Sequence, residues 1–158
     1  MPITGESGDN RVEPGRRLTP GGSEPLPGNL LFVSPVRRDH AALRCILWRK
    51  ARPISAASCR NALRQLRRTP VPIVLCDRDL PDGSWLDILN QADSAAEPPL
   101  VIVASRLADE RLWSEVLNLG AFDLIAKPFI DSDVLHVLKA AWLHAQARGR
   151  SRYSAATE

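Results

Sequence analysis

The sequence predicts an α/β fold, a doubly wound parallel sheet of five strands flanked by five helices. Short apolar runs alternate with amphipathic segments from residue 30 onward, which is the pattern of βαβ units joined by right-handed crossovers. The run Leu100–Val103 is continuously apolar and rich in β-branched residues, as is typical of a strand covered on both faces. With 158 residues, 44% of them hydrophobic, the chain has material for one core.

The sequence of the first half of this domain predicts two strands and two helices. A strand at Leu30–Val33 is bounded by glycine and proline. Apolar residues recur at helical spacing over residues 41–47, which predicts a first helix with its arginines outward. A weaker strand at Pro53–Ala56 leads to a second helix around residues 62–66.

The second half continues the alternation. An apolar strand ends at Asp77 and is followed by a Pro/Gly turn and a helix at Trp85–Leu89. After the fourth strand, a helix from about Asp109 to Leu119 stops at a glycine, a favoured residue just beyond a helix end. The fifth strand, Phe122–Ala126, precedes a last helix that Asp131 is placed to cap.

The two ends of the chain differ from this middle part. Residues 1–28 hold many of the Gly and Pro residues and too few apolar ones to form a core, which predicts a disordered tail. Residues 29–145 form the predicted domain, and 146–158 a polar C-terminal tail. We find neither a signal-peptide apolar region nor a run of membrane-spanning length, so we expect a soluble cytoplasmic protein.

Cysteine and histidine spacing does not indicate a metal or disulfide site. The three cysteines form no CxxC pair and lie at no metal-ligand spacing from a histidine. They are expected to be small buried side chains. The histidines are predicted to face solvent from their helices: His40, His136 and His144.

Charge is unevenly distributed, although the net charge of +3 and the pI of about 9.1 are mild. Ten cations crowd one third of the chain and are opposed there only by Asp39. Either they solvate two helices, or they form a docking surface for an acidic protein partner. These cations are Arg37, Arg38, Arg44, Arg49, Lys50, Arg52, Arg60, Arg64, Arg67 and Arg68.

Reactive groups are expected where the parallel strands end, because ligands bind at the carboxyl edge of such sheets. Asp77 ends the third strand and Lys127 follows the fifth. The two can form a buried ion pair that fixes the loops. Alternatively, the carboxylate is a nucleophile and the ammonium stabilises transferred phosphoryl charge.

Four features together resemble the receiver domain of two-component response regulators. Asp77 is followed by Leu80-Pro81, and Gly120-Ala121 precedes Lys127-Pro128-Phe129 by a short strand. The resemblance covers residues 29–145. It implies a flavodoxin-like sheet in the order 2-1-3-4-5, a phosphoryl group passed from a kinase histidine to Asp77, a phosphate contact from Lys127, and Mg²⁺ beside them.

The chain departs from that family where the metal is held. The acidic pair that normally ends the first strand is replaced by Ser34 and Pro35, which offer Mg²⁺ little. Asp39 is expected inside the first helix and away from the metal site, which leaves Asp79 beside Asp77 as the remaining candidate metal ligand. Mg²⁺ binding is therefore expected to be impaired.

Ser105 is the candidate to replace a missing hydroxyl. The family's Ser/Thr at the end of the fourth strand aligns with Ala104. Side chains alternate between the faces of a strand, so Ser105 can serve only if the strand end bends.

The predicted function is that of a stand-alone receiver in phosphorelay signalling, not an enzyme. Asp77 is its phosphoacceptor, and its output passes through protein contacts. The expected partners are a sensor histidine kinase or phosphotransfer protein, a downstream protein target and a second copy in a homodimer, with neither nucleic acid nor membrane. Trp113 and Trp142 on the last two helices are either core or interface residues.

Two alternatives accompany this prediction. The first is a phosphorylation-independent pseudo-receiver that acts as an interaction module. The second is a phosphatase of the haloacid dehalogenase type, since Asp77 and Asp79 superficially match its paired aspartates. That pair ends the first strand in the phosphatases and here ends the third, which argues against the second alternative.

Overall fold

The computed structural model describes residues 26 and 28–155. The tail predicted over residues 1–28 therefore lies almost entirely outside the described part of the chain. Within the described part, the element order is the predicted alternation of strands and helices.

Five parallel strands form one sheet in the order β2-β1-β3-β4-β5, which confirms the predicted topology. Each strand is short and apolar, and β1, β3 and β4 are buried along nearly their whole length, as expected for strands covered by helices on both faces. The strands are β1 (Leu30–Val33), β2 (Pro53–Ala56), β3 (Ile73–Asp77), β4 (Leu100–Ser105) and β5 (Asp123–Ala126).

Five helices cover the two faces of the sheet. Three of them begin at a side-chain cap: Ser58 accepts from the Asn61 N–H, Asp109 accepts from the Leu112 N–H, and Ser84 forms a capping box with its helix. A small hairpin of Asp79–Leu80 and Gly83–Ser84 precedes the third helix. The helices are α1 (Arg37–Ile46), α2 (Cys59–Arg68), α3 (Trp85–Ala92), α4 (Glu110–Asn118) and α5 (Asp131–Ala155).

The last helix is longer than the sequence indicated. Residues 146–155, expected as a polar tail, continue α5 to Ala155. Polarity does not stop a helix, and this stretch contains good helix formers and no proline. Arg152 also donates from Nη1 to the Ala96 carbonyl at 2.7 Å, which ties the helix end to the loop before β4.

Two hydrophobic clusters form the core, one on each face of the sheet. One contains side chains of α2, α3 and α4, and the other contains those of α1 and α5. Trp142 is buried in the second cluster, whereas Trp113 is half exposed and donates from its indole to Asp123 Oδ1 at 3.2 Å. No helix in the described residues is both long enough and apolar enough to cross a bilayer.

Candidate functional site at the carboxyl edge of the sheet

Strand register brings the predicted site residues to one edge of the sheet. Val33 lies opposite Cys76, so Ser34 follows beside Asp77. Ser105 lies opposite Ala126, and its carbonyl accepts from the Lys127 N–H at 3.0 Å. The ends of β1, β3, β4 and β5 therefore meet at one edge of the sheet, where the sequence analysis expects the crevice.

Asp77 is buried at the centre of this crevice, with 6% of its surface exposed. Its Oδ2 accepts from the Ser34 hydroxyl at 2.6 Å. Its Oδ1 lies 2.6 Å from Lys127 Nζ, as an ion pair without hydrogen-bond alignment, and is sealed from solvent. One oxygen of the carboxylate thus pairs with a cation, and the other accepts a hydrogen bond.

Asp39 also reaches this crevice, which corrects the sequence analysis. The residue does lie inside α1, as expected, but its side chain is turned inward and buried. Its Oδ2 accepts from Lys127 Nζ at 2.5 Å. A helix of the outer layer therefore supplies a carboxylate that the sequence analysis had placed away from the site.

Lys127 consequently sits between two carboxylates. It is itself buried, so its two ion pairs offset the cost of removing an ammonium group from water. Arg106 adds a second cation, 3.6 Å from Asp39 Oδ1, on a side chain that is 60% exposed. Two carboxylates thus face two cations, so the described site is close to electrically neutral without any bound ion.

Ser34 organises the loop after β1. Its hydroxyl donates to Asp77 and accepts from the Val36 N–H at 3.1 Å. The Ser34 carbonyl contacts His40 Nε2 at 2.7 Å, and the imidazole packs against Phe32 with ring centroids 4.6 Å apart. His40 is therefore partly buried and structural, contrary to the prediction that it faces solvent.

The two other candidate site residues take different positions. Ser105 is buried at the end of β4, but its hydroxyl accepts from the Leu107 N–H at 3.1 Å and so holds the following turn. Ala104, not Ser105, lies opposite Asp77 in the register. Asp79 is exposed on the hairpin, and the hydrogen bonds and ion pairs of the described residues do not join it to the site.

The residues present do not fit the Mg²⁺ site that the resemblance implies. A receiver with the acidic pair offers three carboxylates against one lysine, an excess of negative charge that a divalent cation balances. Here the Ser34 hydroxyl donates to Asp77 Oδ2, Pro35 has no donor atom, and the Lys127 ammonium repels a second cation. Within the described residues, no group of three or more potential ligands could hold a metal.

A second polar cluster lies at the start of α2. Asp82 accepts from the N–H groups of Cys59 and Arg60, at 2.8 and 3.0 Å, and these bonds hold its pKa below the usual 3.8. Burial, reinforced by Asp82 and Asp87, raises the pKa of the Cys59 thiol to about 11. Burial next to Asp77 likewise raises the pKa of Cys76 well above its ordinary value. Both thiols are therefore neutral.

Sequence reasoning missed the role of Asp39 although a signal was present. Asp39 precedes Leu43 by four residues and Ile46 by seven, and the three form the buried stripe of α1. A carboxylate on the apolar stripe of a helix, one turn from the end of β1, indicates a buried partner. The cation to expect there is Lys127.

Solved structures share this architecture. The signal receiver domain of an HD domain-containing protein from Pseudomonas fluorescens Pf-5 has a TM-score of 0.70 and 19% identity, covering 85% of this chain and 98% of that one. The beryllofluoride-activated NtrC4 receiver domain dimer has a TM-score of 0.68 and 21% identity, covering 74% and 98%. These likenesses establish the fold.

Sequence comparison gives the family. The transcriptional regulatory protein KdpE of Mycobacterium tuberculosis H37Rv is 32% identical over 88 residues, 56% of this chain and 38% of KdpE, so the chain spans well under half of that relative. The family model described as the response regulator receiver domain matches residues 43–139, more than half of the chain. The chain belongs to the response regulator receiver domain family of two-component systems.

Proposed function

We propose that this protein is a receiver module of two-component signalling that acts through protein contacts and does not depend on phosphorylation of Asp77. The observation that carries the proposal is the Asp39–Lys127–Asp77 cluster. Its single ammonium is shared by both carboxylates, and its nucleophilic candidate, Asp77 Oδ1, is sealed from solvent.

The cluster supports this function because it does not meet two requirements of metal-assisted phosphoryl transfer. The attacking oxygen must reach the phosphorus atom in line, and the charge of the transferred group must be balanced. A donor phosphoryl group can reach Oδ1 only after Lys127 moves, and moving Lys127 leaves Asp39 paired with the exposed Arg106 alone. Removing the buried partner of such a charge costs roughly 3–5 kcal/mol.

The proposed partners are those of the family. Receiver domains bind histidine kinases or phosphotransfer proteins and can form dimers. For this chain we propose a cytoplasmic role in which α1 contacts the kinase side of a pathway and the face of α4, β5 and α5 contacts a target or a second copy. Trp113, half exposed on α4, is an aromatic residue available on that face.

Intact-mass measurement tests the proposal directly. Wild type is incubated with acetyl phosphate and Mg²⁺ beside the Ser34→Asp/Pro35→Asp variant, which restores the acidic pair. We expect an unchanged wild-type mass and one added phosphoryl group on the variant. Adding Asp77→Asn to the variant should abolish that gain. A phosphoryl group on wild type that Asp77→Asn removes would refute the proposal.

The second candidate is phosphotransfer to Asp77 without the acidic pair. It is favoured by one observation: Asp77 Oδ1 receives no hydrogen bond from the described residues, so only its ion pair with Lys127 has to open before this oxygen can attack. In that reaction Oδ1 forms a bond to phosphorus, the bond from phosphorus to the donor's histidine nitrogen breaks, and its electron pair stays on the imidazole. Lys127 would then pair with the acyl phosphate.

A further inference from the structure

A groove at the far end of α1 is separate from the site around Asp77. Trp48 lies in the turn after α1 and is 73% exposed. Together with four neighbouring cations it lines a groove of about 720 Å³, with Ala51 and Pro53 completing the lining. The cations, which we call the groove cations, are Arg44, Arg49, Lys50 and Arg52.

Local backbone geometry holds the indole outside the core. Leu47 is fully buried and takes the last core position of this segment, so the next side chain, Trp48, points outward. Arg49 adopts a left-handed conformation with φ 62°, which is uncommon for a residue other than glycine. The Lys50 and Ala51 N–H groups both donate to the Leu47 carbonyl and close the turn.

The groove cations have no acidic counterpart in the described residues. The ion pairs among the described residues involve only Asp39, Asp77, Lys127 and Arg106. Asp39 is the one acid between residues 37 and 76, and it is turned inside to Lys127. The outer surface of α1 and its following turn therefore carries positive charge alone, next to a large exposed indole.

Strand β2 adds unpaired backbone beside the groove. It is the edge strand of the sheet and pairs only with β1. The Ala56 carbonyl accepts from the Ser34 N–H, and successive residues of a strand point their backbone groups in opposite directions, so the groups of Ser55 face the open edge. Ser55 is exposed, and an extended peptide can pair with such an edge.

We propose that this groove binds an extended acidic peptide segment of a partner protein. An apolar side chain of the peptide packs on Trp48, and its carboxylates pair with the groove cations. Nucleic acid is the less suitable occupant because Ala51 and Pro53 give the groove an apolar lining that a chain of phosphates would not cover. Binding here does not require Asp77, so the proposal stands whether or not Asp77 is phosphorylated.

The test uses the full chain and three labelled twelve-residue peptides, with the signal read by fluorescence polarisation. One peptide is rich in Asp and Glu around two leucines, the second replaces the acids by lysine, and the third replaces the leucines by serine. We expect the first to bind and to weaken steeply with salt. The other two should bind at least tenfold more weakly.

Variants assign the binding to the groove. Trp48→Ala and Arg49→Glu/Arg52→Glu should each weaken binding at least tenfold, whereas Arg67→Glu/Arg68→Glu on exposed α2 should change it less than twofold. In ¹⁵N spectra the acidic peptide should shift the Trp48 indole signal and leave that of Trp113 unchanged. The Asp77→Asn variant should bind as wild type does, which separates this proposal from the proposed function.

Four results would overturn the proposal. They are the absence of saturable binding by the acidic peptide, an equal loss in the α2 control, tighter binding of duplex DNA with the same variant sensitivity, and a large gain in peptide affinity on neutralising the chain's own Glu6, Asp9 and Glu13. The last would mean that the chain's own N-terminal segment occupies the groove.

Discussion

Lys127 Nζ lies 2.5 Å from Asp39 Oδ2, although the two residues are 88 positions apart in the sequence. The bond joins helix α1 to the loop after β5 across the carboxyl edge of the sheet. Because the same ammonium lies 2.6 Å from Asp77, removing either end of the bond alters the charge balance at the family's phosphoacceptor position.

The first prediction concerns the stability of this cluster. Lys127→Met leaves two buried carboxylates without their shared cation, and we expect it to lower the free energy of unfolding by about 3–5 kcal/mol. Asp39→Asn leaves Lys127 paired with Asp77 and should cost less, about 1–3 kcal/mol. Urea titration measures both. The matched control is Arg106→Gln, an exposed partner expected to cost less than about 1 kcal/mol.

A double-mutant cycle shows whether the cluster acts as one unit. Combining Asp39→Asn with Asp77→Asn removes both charges that face Lys127. Contacting groups deviate from additivity by about 0.5–3 kcal/mol. Additive losses would show that the two carboxylates contribute independently and would contradict the shared-ammonium arrangement.

The second prediction concerns Mg²⁺. Millimolar Mg²⁺ should leave the Tm of wild type unchanged, because the site already balances its charge with Lys127 and Arg106. The Ser34→Asp/Pro35→Asp variant should be less stable than wild type in EDTA, since it places carboxylates beside Asp77. Mg²⁺ should restore its stability by about 2.7 kcal/mol when present at about 100 times the dissociation constant. Thermal unfolding measures this, and a wild-type Tm that rises with Mg²⁺ would contradict it.

A third prediction concerns thiol reactivity. Burial raises the pKa of Cys59 to about 11 and that of Cys76 well above its ordinary value, whereas Cys45 is exposed. The thiolate is the reactive form, so mild iodoacetamide treatment near pH 8 should add one group to the native chain, at Cys45. In denaturant all three cysteines should react. Native Cys45→Ser should remain unmodified under the same mild treatment.

The same pKa shift predicts loss of stability at alkaline pH. A raised folded pKa gives Cys59 a contribution that is fully present below the unfolded value of 9.0 and is lost as the pH rises through about 11. The difference in urea midpoint between wild type and Cys59→Ala should therefore decrease over this range. A difference that stays constant from neutral to alkaline pH would contradict the assignment.

The fourth prediction concerns Asp82, whose pKa is lowered and whose contribution to stability is therefore lost in acid, not in alkali. The Cys59 and Arg60 N–H groups hold the pKa of Asp82 below 3.8, so its contribution is present above 3.8 and is lost as the pH falls through the lower folded value. Asp82→Asn should destabilise the protein at neutral pH, with a difference that disappears in acid. The other acidic groups are the same in both proteins, so their contributions cancel when the urea midpoints of wild type and variant are compared. Asp93→Asn, at an exposed residue after α3, is the control.

The sheet was predictable because strands buried on both faces leave an unambiguous pattern. Leu30–Val33 and Pro53–Ala56 have the bounds that the sequence indicated, and β3 ends at Asp77 as expected. The predicted end of the last helix was wrong because a polar stretch can continue a helix. The contact of Arg152 with Ala96, which holds the helix end, depends on tertiary structure and leaves no pattern in the sequence.

The site was predictable only as far as strand ends determine it. Asp77 and Lys127 follow from their strands, since every parallel strand ends at the same edge. The position of Asp39 depends instead on the rotation of α1 about its axis, which strand ends do not reveal and which only the stripe shared with Leu43 and Ile46 indicates. The predicted role of Ser105 required the strand end to bend. In the structure its hydroxyl instead accepts from the Leu107 N–H in the following turn.

The placement of Asp39 on α1 puts two features of the domain on one short helix. The helix has ten residues and is about 15 Å long. Its first turn carries the carboxylate that shares Lys127 with Asp77, and its last residue leads into the turn that carries Trp48. The distance between the phosphoacceptor position and the groove is therefore set by a single helical segment that is anchored in the core by Leu43 and Ile46.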